Sequence, residues 1–139
     1  MKIVIIDGQG GKLGAKLTES VRAAVPEAEI TAVGTNTTAT ERMLKAGATR
    51  AATGENAVKV ACRTADVIMG PIGIVIADAL MGEITPKMAQ YVGESEAQRV
   101  LVPMNLCDTY VAGTVRSSAE IVQDAVNHVR ALAERIKNE

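Results

Sequence analysis

The residues best suited to chemistry stand near the start of the chain: Asp7, Gly8, Gln9, Gly10, Gly11, Lys12, Leu13 and Gly14, directly after the β-branched run Ile3 to Ile6. Gly8, Gly11 and Gly14 give the spacing G-x-x-G-x-x-G, a relative of the dinucleotide fingerprint G-x-G-x-x-G. Glycine lets the backbone turn sharply and come close to a pyrophosphate. The free N–H groups and the positive end of a following helix then favour the anion. A strand before these glycines and a helix after them is the context the fingerprint requires, so a nucleotide or dinucleotide is expected here, with NAD or NADP as the cofactor. No metal is expected. Lys12 is followed by Leu13 instead of Ser or Thr, and no G-x-x-x-x-G-K frame fits, so a P-loop is excluded.

Two further stretches are expected at the same site. Gly34, Thr35 and Asn36, followed by Thr37 and Thr38, stand about 20 residues past the glycines, where an NAD site carries Asp or Glu. Without that carboxylate, either the ligand is held by hydroxyl and amide groups, with Arg42 near a 2′-phosphate, or it is not a dinucleotide. Under the first alternative NADP should bind at least as well as NAD. Gly70, Pro71, Ile72 and Gly73 should face the first loop and let a flat ring or a phosphate approach the backbone. The plainer alternatives are a compact strand-to-helix turn at the glycines, helix capping at Thr38 and a rigid turn at Pro71.

No catalytic set can be assigned. A rival reading is an enzyme acting on a small phosphorylated or carboxylated metabolite, with Lys12, Lys87, Asp7, Cys107 or Asp108 supplying chemistry next to Asn105. Another is a non-catalytic sensor or assembly subunit. No nucleophile and base pair up in the sequence, and neither Tyr91 nor Tyr110 is followed four positions later by Lys, which removes Tyr-Lys hydride-transfer machinery. Cys62 and Cys107 are read as buried structural thiols, and His128 as a structural residue on the last helix.

The elements that must position these residues follow from size and pattern. With 139 residues and 47% hydrophobic composition, one domain spanning 1–139 is expected, without room for a separate substrate domain. A net charge of −1, from 15 basic and 16 acidic residues, and the absence of Phe and Trp argue against nucleic acid as a partner. The longest uncharged run, Val67 to Ala77, is broken by Gly70, Pro71 and Gly73, so no membrane span is expected and the chain reads as cytoplasmic. Strands are predicted at Ile3–Ile6, Ile30–Val33, Arg50–Ala52, Val67–Met69 and Val100–Val102. Helices are predicted at Gly11–Val25, from a Thr38 capping box to Gly47 with Met43 and Leu44 inward, at Glu55–Thr64, at Pro86–Val92 capped by Thr85, and from Ser117 onward. Ile72 to Met81 is ambiguous, with helix preferred. The alternation gives a doubly wound, mostly parallel α/β sheet, with a sixth strand near Tyr110–Thr114 that is antiparallel or at an edge. That edge is the basis for expecting a homodimer or higher homo-oligomer.

Asp7–Gly11, Gly34–Asn36, Met43–Ala48, Ala52–Asn56, Gly70–Ile74 and Gly82–Met88, in that order, resemble a bacterial family of small Rossmann-like proteins classed as a domain of unknown function. The resemblance covers roughly residues 1 to 114 and implies a cytoplasmic bacterial protein with a Rossmann-like fold. It brings no known reaction.

Overall fold

The computed structural model describes residues 1–104, 108–113 and 116–139. Its centre is β1 (Lys2–Asp7), which is apolar on both faces because helices cover both: Ile3 and Ile5 enter one core layer, Val4 and Ile6 the other. The chain continues through α1 (Lys12–Ala24), β2 (Glu29–Gly34), α2 (Thr37–Lys45), β3 (Arg50–Thr53), α3 (Glu55–Cys62) and β4 (Val67–Pro71). A 3₁₀ turn at Ile72–Val75 follows, then α4 (Pro86–Glu94), β5 (Gln98–Val102) and α5 (Ser118–Lys137). The five strands are all parallel in the order β3-β2-β1-β4-β5. This is the expected Rossmann-like winding. The chain moves outward from β1 to β3, then returns to the centre at β4, so the connections after β1 and β4 leave toward opposite faces and open a crevice between them.

One face is covered by α1, α2 and α5, where Leu13, Leu17, Val21, Met43, Val126 and Val129 pack on Ile3, Ile5, Ile30 and Met69. The other is covered by α3 and α4, where Val58, Met88 and Val92 pack on Val4, Ile6 and Ile68. Thr85 and Ser117 cap α4 and α5 as predicted, each accepting a hydrogen bond from the backbone N–H three residues on. Among the described residues no helix is long and apolar enough to cross a membrane.

Four expectations are corrected. The N-cap of α2 is Asn36, whose Oδ1 accepts from the Ala39 N–H at 2.9 Å, so the helix starts before the predicted Thr38. Met43 is buried, but Leu44 points outward with 46% of its surface exposed. Ile72 to Met81 forms no α-helix. β-branched Ile72, Ile74, Val75 and Ile76, with Gly73 among them, disfavour one, and the 3₁₀ turn gives way to extended backbone at Ile76. Residues 110–113 form no strand, and Thr114 lies outside the described residues. Among the described residues the outer strands are therefore β3 and β5.

The start of α1 depends on contacts that helix propensity would not choose. Gly14 lies within the helix, where alanine is normally favoured by about 1 kcal/mol. A Cβ at Gly14 would lie 2.5 Å from Met43 Sδ and 2.7 Å from Asp7 Cβ. Because Met43 is fully buried and Asp7 is fixed at the strand end, overpacking outweighs propensity. Gly14→Ala is expected to destabilise the fold by about 1–2 kcal/mol, read from the urea midpoint; an unchanged or raised midpoint would show that the helix can move away from β1.

Candidate functional site

The carboxyl end of β1 is organised by Asp7, which is only 3% exposed. Its Oδ1 accepts from the Gly8 N–H at 2.8 Å and its Oδ2 from the Gly14 N–H at 2.7 Å. Gly11, the residue before α1, has a left-handed φ of 73° and offers no side-chain cap, so Asp7 supplies from the strand the acceptor that a cap would give. Burial pushes the Asp7 carboxyl above its ordinary value; the hydrogen bonds from Gly14 and Gly8 pull it down, and the nearby Glu83 charge pushes it up. The Gly8–Gly11 turn is closed by the Gly11 N–H to the Gly8 carbonyl at 2.9 Å. Its outer residues, Gln9 and Gly10, are exposed, with Gln9 at φ 51°.

Three donors converge outside this turn. The Gln9 N–H at 3.0 Å, the Thr35 hydroxyl at 2.7 Å and the Asn36 Nδ2 at 2.7 Å all donate to one oxygen, Oε1 of Glu83. The direction of the Asn36 amide is set by its capping role. With Oδ1 committed to α2, Nδ2 must face the turn, where it also donates to the Gln9 carbonyl at 2.9 Å. Burial raises the Glu83 carboxyl, but the hydrogen bonds from Thr35, Gln9 and Asn36 together outweigh it and hold the group below its ordinary value.

Glu83 arrives on the segment that joins the 3₁₀ turn to α4. Asp78, Leu80 and Met81 have φ of 65°, 56° and 57°, a left-handed backbone that costs an L-residue roughly 1–2 kcal/mol. Leu80, 2% exposed, sits between the two glycine stretches: its Cδ1 lies 3.0 Å from where a Gly8 Cβ would be and its Cδ2 3.8 Å from the same point on Gly73. The space that the sequence assigned to a flat ring between these stretches is therefore filled by Leu80.

The structure thus brings Gly8, Gln9, Thr35 and Asn36 together around one anion. Gly10 borders them, with Arg42 Nη1 3.8 Å from the position of its absent Cβ. Gly11 and Gly34 lie beneath, where a Cβ would meet Ala39 Cα at 2.6 Å and Thr40 Oγ1, so both are required by packing. Lys12 is exposed while Leu13 and Gly14 are buried. Gly70 and Pro71 end β4, and Ile72 and Gly73 open the turn on the opposite face. Among the described residues no hydrogen bond or ion pair joins Lys12, Lys87 or Asp108 to the three donors. Asn105 and Cys107 lie outside the described residues. Cys62 is buried on α3, which pushes its thiol up to about 11, away from reactivity. His128 faces Gln98 Oε1 at 3.3 Å, linking α5 to β5 far from the carboxyl edge. Among the described residues no group of His, Cys, Asp or Glu could hold a metal ion. Glu83 and Leu80 escaped the sequence reading; the only sequence signal for them was Gly82-Glu83 within one of the family-like blocks.

Comparison with known proteins places this site in context. Residues 2–134 match the family described as Domain of unknown function (DUF3842). No curated protein matches significantly. Among solved structures, a dodecameric FMN-dependent UbiX-like decarboxylase from Escherichia coli O157:H7 is similar at 15% identity and a TM-score of 0.48, covering 96% of this chain and 94% of that one. The expectation of NAD or NADP is corrected. In this chain the donors at the expected ribose and pyrophosphate positions are taken by the Glu83 carboxylate.

Glu83 has a pH signature of known sign. A carboxyl held below its ordinary value contributes stability that is present above that value, 4.5, and is lost as pH falls through the lowered one. Asp7, held above its ordinary value, acts in the opposite direction; the larger part of its shift comes from burial and persists without the Glu83 charge, and only the part due to that charge is removed with it. Glu83→Gln keeps an acceptor oxygen without the charge. Wild type should exceed it in urea midpoint at neutral pH, and the gap should close on acidification to roughly pH 3; a gap that widened would mean that Glu83 is not held as a carboxylate.

Proposed function

The chain belongs to the family classed as Domain of unknown function (DUF3842), and from its site we propose that it binds a small anionic ligand of the mononucleotide class at the carboxyl edge of the sheet. The acid group, a phosphate or carboxylate, is held by the Gln9 N–H, the Thr35 hydroxyl and the Asn36 amide. The observation that carries this reading is the convergence of those three donors on a single oxygen. Backbone and neutral side-chain donors fixed by their own structural roles bind an oxyanion with little reorganisation. Arg42 beside Gly10 adds positive charge at the rim. Binding is favoured over catalysis because Asp7, the acid nearest the loop, has both oxygens committed to backbone N–H groups and is not free to act as a base.

Calorimetry of the wild-type chain and of Glu83→Ala against inorganic phosphate, AMP and flavin mononucleotide tests the proposal. At least one of these should bind in the micromolar to millimolar range. Arg42 is exposed, so Arg42→Ala should leave the melting temperature unchanged while weakening binding. Thr35→Val should weaken it by about tenfold, the effect of one hydrogen bond to a charged group. If neither protein binds any of the three at millimolar concentration, the proposal fails.

A further inference from the structure

Residues 77 to 83 lie where the ligand of the anion-binding reading above would lie, and, resting on that reading, we propose that this segment is a built-in competitor for the site. It is a lid whose Glu83 occupies the seat of the acid group and whose Leu80 occupies the seat of an apolar body. The ligand class follows from what the two side chains imitate: a phosphate or carboxylate attached to a largely apolar group that fits between Gly8 and Gly73.

Several independent features give the segment this character. Glu83 uses one oxygen to engage all three donors, so the seat is filled by a group of the chemistry it would select. Leu80 is buried against the two glycine stretches of neighbouring strands, Gly8 after β1 and Gly73 after β4. Between these anchors the tip is held by its own turn, the Gly82 N–H donating to the Asp78 carbonyl at 3.0 Å and the Glu83 N–H to the Leu80 carbonyl at 3.2 Å, while Met81 is 89% exposed and a Cβ at Gly82 would meet nothing within 4 Å. The left-handed backbone at Asp78, Leu80 and Met81 is strained, so the closed form is held by its two seated side chains against a local preference to relax. The neck is closed on itself. The Asp78 N–H donates to the Ile84 carbonyl at 2.8 Å and the Ile84 N–H to the Ala79 carbonyl at 3.1 Å. Ile84 is fully buried and Thr85 caps α4, which fixes one end of the movement. A ligand able to fill both seats satisfies the same donors and releases the strain, so displacement replaces one anion by another.

A lid of this kind lowers the apparent affinity by the fraction of molecules that are open. Titration calorimetry with AMP and with flavin mononucleotide should show Glu83→Ala binding at least one of them about tenfold more tightly than wild type. Hydrogen exchange on the wild-type chain needs no substitution: a saturating concentration of the bound compound should speed exchange at the Gly82 and Ile84 amides and leave the Val92 amide of α4 unchanged. Equal affinities of the two proteins, or slower exchange at Gly82 and Ile84, would overturn the lid while leaving the anion-binding reading intact. Absence of binding to both proteins would overturn both.

Discussion

The carboxyl edge depends on one buried carboxylate. Asp7 ends the central strand and, with its two oxygens, ties the Gly8 N–H of the turn and the Gly14 N–H of the helix to the same side chain. The cost of burying this charge is reduced, though not cancelled, by those hydrogen bonds and by the positive end of α1, so the carboxyl stays above its ordinary value. In return, strand, turn and helix form one rigid corner. Gly14 must be glycine because the strand end and Met43 come so close, and Gly11 must be glycine because the turn needs a left-handed residue against Ala39.

This corner explains why a second acid gathers on its outer side. The Gly8–Gly11 turn points its Gln9 N–H outward, and the turn after β2 brings Thr35 and Asn36 alongside, so three donors meet without any side chain being strained into place. Glu83 answers them from the far side of the switch point. The two carboxylates lie on opposite sides of the same turn, and their repulsion contributes to the upward shift of Asp7. What holds the Glu83 carboxyl below its ordinary value is the set of donors from Thr35, Gln9 and Asn36, against the repulsion between the two acids. Asp7 is locked into strand and helix, whereas Glu83 is carried on the left-handed backbone of Asp78, Leu80 and Met81, the feature on which the proposed lid rests.

Much of the architecture was determined by the sequence itself. The β-branched run of Ile3 to Ile6 and its successors, the glycine turn after the first strand, the caps at Thr85 and Ser117 and the parallel winding all rest on local periodicity and on the handedness of crossovers, which need only neighbouring residues. The turns that would meet at the carboxyl edge followed from that winding, so Gly8, Gln9, Thr35 and Asn36 could be named as neighbours there. What they would meet could not be read. Gln9 and Glu83 are separated by 74 positions, and nothing in local pattern marks a glutamate in an irregular segment as the partner of a distant turn. The glycines, whose spacing pointed to a phosphate, are required at Gly8, Gly11 and Gly14 by Thr35, Ala39, Met43 and Asp7, contacts that exist only once the helices have packed on the sheet. The cap of α2 fell to Asn36 instead of Thr38 because that amide serves the helix and the turn together, a demand set by the meeting of β1 and β2. Local chemistry fixes which elements form, whereas the occupant of the crevice between them is decided by long-range contacts that appear when the sheet assembles.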